Sequence, residues 1–186
     1  MSNLSNLSTQ KKSVRYLTEC GVIAALYAAT VQALGFMGYG VLQFRVAEAL
    51  TLLPIFTPAA IPGVTIGCAI ANILGMSENP AGAWDILLGP AATLCAAILT
   101  RQLRNLRWLK LPVLASLPPV ILNAVVVGSE LYWAFIHSEK IIASAWIGSM
   151  LSIGLGQVAA CCVLGLALVF ALEKSKAAKY IFSPKT

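Results

Sequence analysis

Apolar residues run along this chain in long blocks separated by short polar breaks. Six blocks stand out, at roughly 16–36, 43–56, 58–75, 83–100, 111–134 and 141–172. A helix needs about 20 apolar residues to cross the ~30 Å hydrocarbon core of a bilayer, and most of these blocks approach or exceed that length. The pattern predicts an all-α integral membrane protein, a bundle of six transmembrane helices. The second block is short: its residues, at about 1.5 Å each, reach only ~21 Å. The sixth is long, so it tilts, extends beyond the bilayer or begins in a loop. Blocks two and three also admit a hairpin that re-enters the outer face. Pro54, Pro58 and Pro62 follow one another at intervals of four. Each lacks an N–H and obstructs a continuous helix. Carbonyls freed at membrane depth must be shielded by protein or wetted by a cavity.

Composition agrees with the pattern. Of the 186 residues, 59% are hydrophobic and 11% charged, with mean hydropathy +0.82; ordinary soluble domains carry about 25% charge. No polar stretch is long enough for a separate soluble domain. Lys11, Lys12 and Arg15 precede the first block as in a signal peptide. That block continues to about residue 37 and further blocks follow, so it is expected to be a retained first helix. The net charge of +6 raises nucleic acid as a partner, but its distribution points elsewhere. Eleven of the thirteen basic residues fall before block one, between blocks four and five (Arg101, Arg104, Arg107, Lys110) or after block six (Lys174, Lys176, Lys179, Lys185). Six spans with both termini cytoplasmic put all eleven on the inner side. The resulting organisation is a cytoplasmic tail over 1–15, a membrane domain over 16–172 and a basic cytoplasmic tail over 173–186. The basic 101–110 loop suits lipid head groups, or a docked protein.

In that topology the remaining polar groups sort by depth. Arg45 and Glu48 lie near the outer end of segment two, Asn72 near the outer end of segment three, and Trp84 and Asp85 open segment four. Glu130, Tyr132 and Trp133 close segment five, with Asn123 nearer its middle; Trp146 and, deeper, Gln157 lie in segment six. Ionisable groups inside membrane spans are costly and usually face a cavity or a partner. Arg45 and Glu48, three residues apart, can pair with each other. Asp85 and Glu130 can sit at the interface among a belt of Trp84, Tyr132 and Trp133. Taken together, charges and aromatics from four segments point to a pocket. Three carboxylates and one arginine suit a small, flat, hydrogen-bonding solute with positive charge. A carboxylate accepts two parallel N–H donors from a guanine-like edge, and tryptophan stacks on a ring or a cation.

Other motifs bear on packing or on what is excluded. Ala24 and Ala28, the run Ala25, Ala29 and Ala33, and the pair Gly63 and Gly67 repeat at four-residue spacing, which lets helices approach closely. The five cysteines have no C-x-x-C spacing, and the only histidine, His137, is remote from them, so no metal site or other cofactor is expected. No phosphate loop, H-E-x-x-H or nucleophile elbow occurs, so the chain is not expected to be an enzyme.

The stretch "LQFRVAEALTLLPIFTPAAIPGVTIGCAIANILG" at 42–75, followed by "WDILLGPAATLCAA", resembles the QueT family, and the likeness extends over about 16–172. Members are substrate-binding S components of energy-coupling factor transporters, associated with queuosine precursors. The resemblance implies a six-helix protein of a bacterial cytoplasmic membrane, working with a transmembrane T protein and two ATPases. It implies that Ala24 and Ala28 meet the T protein. It implies an outward pocket for a 7-deazaguanine such as 7-aminomethyl-7-deazaguanine, or queuine. Glu48 and Asp85 are then the first candidates to read the purine-like edge and the ammonium, with Glu130 third. Arg45 would orient Glu48, Asn72, Asn123 or Gln157 would meet the carbonyl, and Trp84 or Trp133 would stack. An S component for another vitamin or amino acid, or a membrane scaffold without transport activity, are the alternative readings.

Overall fold

The computed structural model describes residues 2–35, 44–79, 81–108, 110–135 and 142–182; His137 falls outside them. Among the described residues the chain is helical throughout, apart from an isolated bridge between Trp108 and Leu111. In order come α1 (Ser2–Ala33), a 3-10 helix (Val46–Ile55), α2 (Ala60–Leu74), α3 (Trp84–Gln102), α4 (Leu117–Phe135), α5 (Ala143–Gln157), a π-helical turn (Val158–Gly165), α6 (Leu166–Lys174) and α7 (Ala177–Phe182).

Four stretches are long and apolar enough to cross a membrane: Lys12–Ala33, Trp84–Asn105, Val113–Ala134 and Ala143–Lys174. Their outward faces carry Leu87, Ile121, Leu155 and Val163, each more than half exposed. Arg45, Glu48, Asn72, Asp85 and Asn123 are buried inside. That inverts the usual soluble arrangement and fits a bundle solvated by lipid. The last stretch is 32 residues long. At about 1.5 Å per residue it reaches ~48 Å, so it extends past the hydrocarbon core.

The second block departs from the expected transmembrane α-helix. It forms a ten-residue 3-10 helix, buried at Ala47, Glu48, Ala49 and from Thr51 through Ile55. A 3-10 helix rises about 2.0 Å per residue, so it spans roughly 20 Å. It is a strut enclosed by α1, α3 and the π-helical turn, not a lipid-facing span. Every third side chain eclipses in this geometry, which sets Glu48, Thr51 and Pro54 along one edge. Thr51 Oγ1 donates to the Glu48 carbonyl at 2.6 Å, and Arg101 Nη1 donates to the Pro54 carbonyl at 2.7 Å. The backbone of the proline-broken segment is thus shielded by protein. Close approach from the other side is made at Gly165, where a Cβ would stand 3.2 Å from the Leu52 methyls.

The third block begins as α2 two residues after Pro58, with Pro62 in its first turn, where a missing N–H costs nothing. α2 lies against α1. A Cβ on Gly67 would fall 2.7 Å from Tyr27 Cβ and 2.8 Å from the Ala24 carbonyl, and one on Gly63 would stand 3.0 Å from Ile23. Ala24 and Ala28 are buried, at 5% and 7% exposure. Ala24, expected to meet a T protein, packs against Gly67 of α2.

At the far end of the 3-10 strut the C-terminal segment folds back instead of trailing as a tail. Phe182 stacks on Phe56 with ring centroids 5.8 Å apart. Arg15 donates to the Ile181 carbonyl and to Glu19, and Glu19 in turn accepts from Thr57. Arg107 forks onto both oxygens of Glu173. These contacts gather basic residues of α1, of the 101–110 segment and of the C-terminus at one end, about 20 Å along the strut from Arg45.

Candidate functional site

The other end of the strut opens in a buried polar cluster to which all the main elements contribute. Arg45 precedes the first 3-10 turn with an extended backbone (φ −95°, ψ 100°). This conformation directs its guanidinium away from Glu48 and across to α2 and α3. Nη1 donates to Asn72 Oδ1 at 3.1 Å, and Nη2 donates to Asp85 Oδ2 at 2.9 Å. Asp85 sits in the first turn of α3, where the helix dipole favours a carboxylate. Asn79, in the turn after α2, donates to the same Oδ2 at 2.5 Å, and Asn72 donates to the Asp85 carbonyl at 2.7 Å. Room for this junction comes from Gly89, one turn along α3. A Cβ there would lie 2.5 Å from Asp85 Oδ1 and 2.6 Å from Asn72 Nδ2.

Glu48 has a separate set of partners. Tyr27 of α1 donates to Oε1 at 2.5 Å, and Asn123 of α4 donates to Oε2 at 3.3 Å. Its carbonyl accepts from Thr51 and, at 3.6 Å, from Cys161 in the π-helical turn, whose thiol also lies 3.4 Å from Gln157 Oε1. π-Helical turns recur at functional sites because the extra residue re-aims side chains. The expected mutual pairing of Arg45 with Glu48, and the orienting of Glu48 by Arg45, give way to this division: Arg45 holds Asp85, while Tyr27 and Asn123 hold Glu48.

Glu130 completes the acidic set. It lies on α4 three residues beyond Val127, which with Asn123 faces the cluster, so it projects from the same helical face one turn further on. Its side chain is buried, and neither carboxylate oxygen has a hydrogen-bond partner among the described residues. Asp85 Oδ1 is likewise unpartnered. Three acceptor oxygens are therefore buried without donors among the described residues.

The expected tryptophans are not part of this cluster. Trp84 is 70% exposed and Trp133 54% exposed. Trp133 packs edge-on to Tyr132, and Trp146 packs on the other side of that ring while donating to Ser129. This aromatic group ties α4 to α5. The aromatic residue of the cluster is Tyr27, which the hydropathy pattern hid among alanines; a buried tyrosine hydroxyl that must find a partner was the available signal. Asn79 and Gly89 were also missed, although both flank Asp85 closely in sequence.

Arg45, Glu48, Cys68, Gly89, Asn123 and Gln157 enclose a cavity of about 10 Å³, the space of about one water. Larger recesses, of about 400 and 350 Å³, lie at the opposite end against α7 and are open to the surface. They lack the buried charges. No group of histidine, cysteine or acidic residues suited to a metal ion occurs among the described residues.

The arrangement can hold a solute through carboxylate and amide groups in a medium of low dielectric, and it carries no nucleophile–base pair. Sequence comparisons agree with that character. A protein named Queuosine precursor transporter QueT, from Lactococcus lactis subsp. cremoris (strain MG1363), is 36% identical over 88 residues. The similar region covers 45% of this chain and 48% of that protein, about half the length of each. No solved structure gives a significant match. The family profile described as QueT transporter matches residues 17–174, a range that contains every residue of the buried cluster; the chain belongs to the QueT transporter family.

Proposed function

We propose that this protein is the substrate-binding S component of an energy-coupling factor importer that captures a queuosine precursor, a 7-deazaguanine, from outside the cell. The observation that carries the reading is the buried cluster of Arg45, Glu48, Asn72, Asp85, Asn123 and Glu130 within a QueT-family chain. Its formal charge of −2 with all three carboxylates ionised suits a cationic solute. Its carboxylates and amides suit the donor-rich edge of a guanine-like ring. The relative's name supports the same substrate class.

In this reading the protein lies in a bacterial cytoplasmic membrane with both termini inside. Six segments traverse it, the 3-10 strut and α2 being the two short ones. The basic end of the bundle faces the cytoplasm and the polar cluster faces outward. ATP is hydrolysed by two partner ATPases, coupled through a transmembrane T protein.

Purified protein is to be titrated with 7-aminomethyl-7-deazaguanine, and the ligand that co-purifies with it identified by mass spectrometry. Saturable binding of the deazaguanine, competed by the co-purified compound, is expected. Binding of an unrelated vitamin with no response to deazaguanines refutes the assignment.

A further inference from the structure

The three acidic residues of the cluster differ in one respect that bears on how a ligand is held. Glu48 is already saturated: each oxygen accepts a hydrogen bond, from Tyr27 and from Asn123. Asp85 is half satisfied, with Arg45 and Asn79 both on Oδ2 and nothing on Oδ1. Glu130 is wholly unsatisfied, though it is only 6% exposed. Leaving a buried acceptor without a donor is costly, and more so for a charged group. A fold that buries three such oxygens on elements around one cavity is completed by a donor-rich group. Glu130 follows Asn123 and Val127 along one face of α4; those two line the cavity with Arg45 and Gly89, and Asp85 Oδ1 lies against Gly89. Among the described residues the cation at this cavity is Arg45, which is already engaged with Asp85 and Asn72.

We infer that Glu130, together with Oδ1 of Asp85, is the seat for a protonated amine of the substrate, and that Glu48 is a framework carboxylate holding α1, the 3-10 strut and α4 in register. This deepens the proposed function and rests on it. An ammonium has three N–H donors and no acceptor, which matches three bare oxygens. It also supplies the positive charge that offsets two neighbouring carboxylates. A neutral donor group would supply hydrogen bonds but leave Glu130 without a countercharge. Selectivity for an aminomethyl-bearing ligand over its neutral counterpart then resides on α4, apart from recognition of the ring.

The test compares wild type, Glu130→Gln and Glu48→Gln by titration with 7-aminomethyl-7-deazaguanine and with its 7-methyl analogue, which lacks the amine. Melting of each ligand-free protein is followed alongside. Wild type is expected to prefer the amine. In Glu130→Gln the amine ligand is expected to weaken by roughly 30-fold or more, the loss typical of one charge-assisted contact at a desolvated site. The 7-methyl analogue is expected to change by less than about threefold. Ligand-free Glu130→Gln is expected to melt at or above wild type, because an uncompensated buried charge has gone. Glu48→Gln is expected to melt lower and to weaken both ligands alike. Equal losses for both ligands in Glu130→Gln, no loss for either, or a lower melting temperature for that variant overturns the assignment. If wild type binds neither deazaguanine, the transport substrate has been misassigned. The amine seat is then judged with benzylamine against benzyl alcohol at millimolar concentration. A melting shift from benzylamine alone, absent in Glu130→Gln, upholds the seat, and no shift in wild type overturns it.

Discussion

Arg45 and Asp85 form a buried ion pair at 2.9 Å across forty residues of sequence. Their side chains are 6% and 1% exposed. The pair joins the start of the 3-10 strut to the first turn of α3, and Asn72 bridges it to α2. It therefore fixes three elements around the cavity.

Breaking a buried pair by removing one partner costs about 3–5 kcal/mol, because the other charge is stranded. Arg45→Gln is expected to lower the melting temperature strongly. Arg45→Gln combined with Asp85→Asn is expected to recover part of that loss, since neither charge is then left alone. Thermal unfolding of the two single variants and the double variant in detergent measures the coupling; simple additivity would show that the pair does not act as a unit.

Tyr27→Phe removes one hydroxyl donor from Glu48 without changing shape. Hydrogen bonds to charged groups contribute about 1.5–3 kcal/mol, so a loss of that order is expected in chemical or thermal unfolding. Asn123→Leu is expected to act in the same direction. A Tyr27→Phe variant as stable as wild type would mean that Glu48 is held by other contacts.

Two glycine substitutions separate packing from site geometry. In Gly67→Ala the new methyl meets the Ala24 carbonyl and Tyr27 Cβ, which cannot yield without moving α1. Overpacking of about 1–3 kcal/mol is expected, read as a lower melting temperature. In Gly89→Ala it meets the ends of the Asp85 and Asn72 side chains, which can rotate. Stability is expected to fall less there and deazaguanine affinity to fall more, as Asp85 and Asn72 leave their positions.

The Arg107–Glu173 fork is exposed, at 40% and 31% of its side chains. Glu173 holds the Arg107 guanidinium above its ordinary pKa range. Solvent screening still limits such a pair to at most about 1 kcal/mol. Glu173→Gln is expected to change the melting temperature little, and the small difference is expected to vanish in high salt. A large, salt-insensitive loss would assign Glu173 a further structural role.

The proposed topology puts the basic end of the bundle inside and the polar cluster outside. In a cysteine-free background, Asn105→Cys is expected to resist an impermeant thiol reagent in intact cells, and Ser77→Cys, near the polar cluster, to react. Reversed labelling would place the cluster on the cytoplasmic side and remove its role in capture from outside.

Membership of the polar set was legible in the sequence. Hydropathy located the apolar stretches, and sorting polar groups along them singled out Arg45, Glu48, Asn72, Asp85 and Glu130, all of which are buried. The prolines at 54, 58 and 62 marked a segment that could not be ordinary helix. Azimuth was not legible. In water, an apolar face reports the core. In lipid, the core face and the outer face are both apolar, so periodicity no longer tells which way a side chain turns. For that reason Trp84 and Trp133 turn outward, while Ala24 and Ala28 are buried, Ala24 against Gly67 of α2. Partner choice was likewise decided by the tertiary structure. A 3-10 rather than α-helical strut, with Arg45 in extended conformation at its start, sends two neighbouring charges to different helices, Arg45 to Asp85 and Glu48 to Tyr27 and Asn123. Backbone geometry of that kind depends on what encloses the segment on all sides, and local sequence does not encode it.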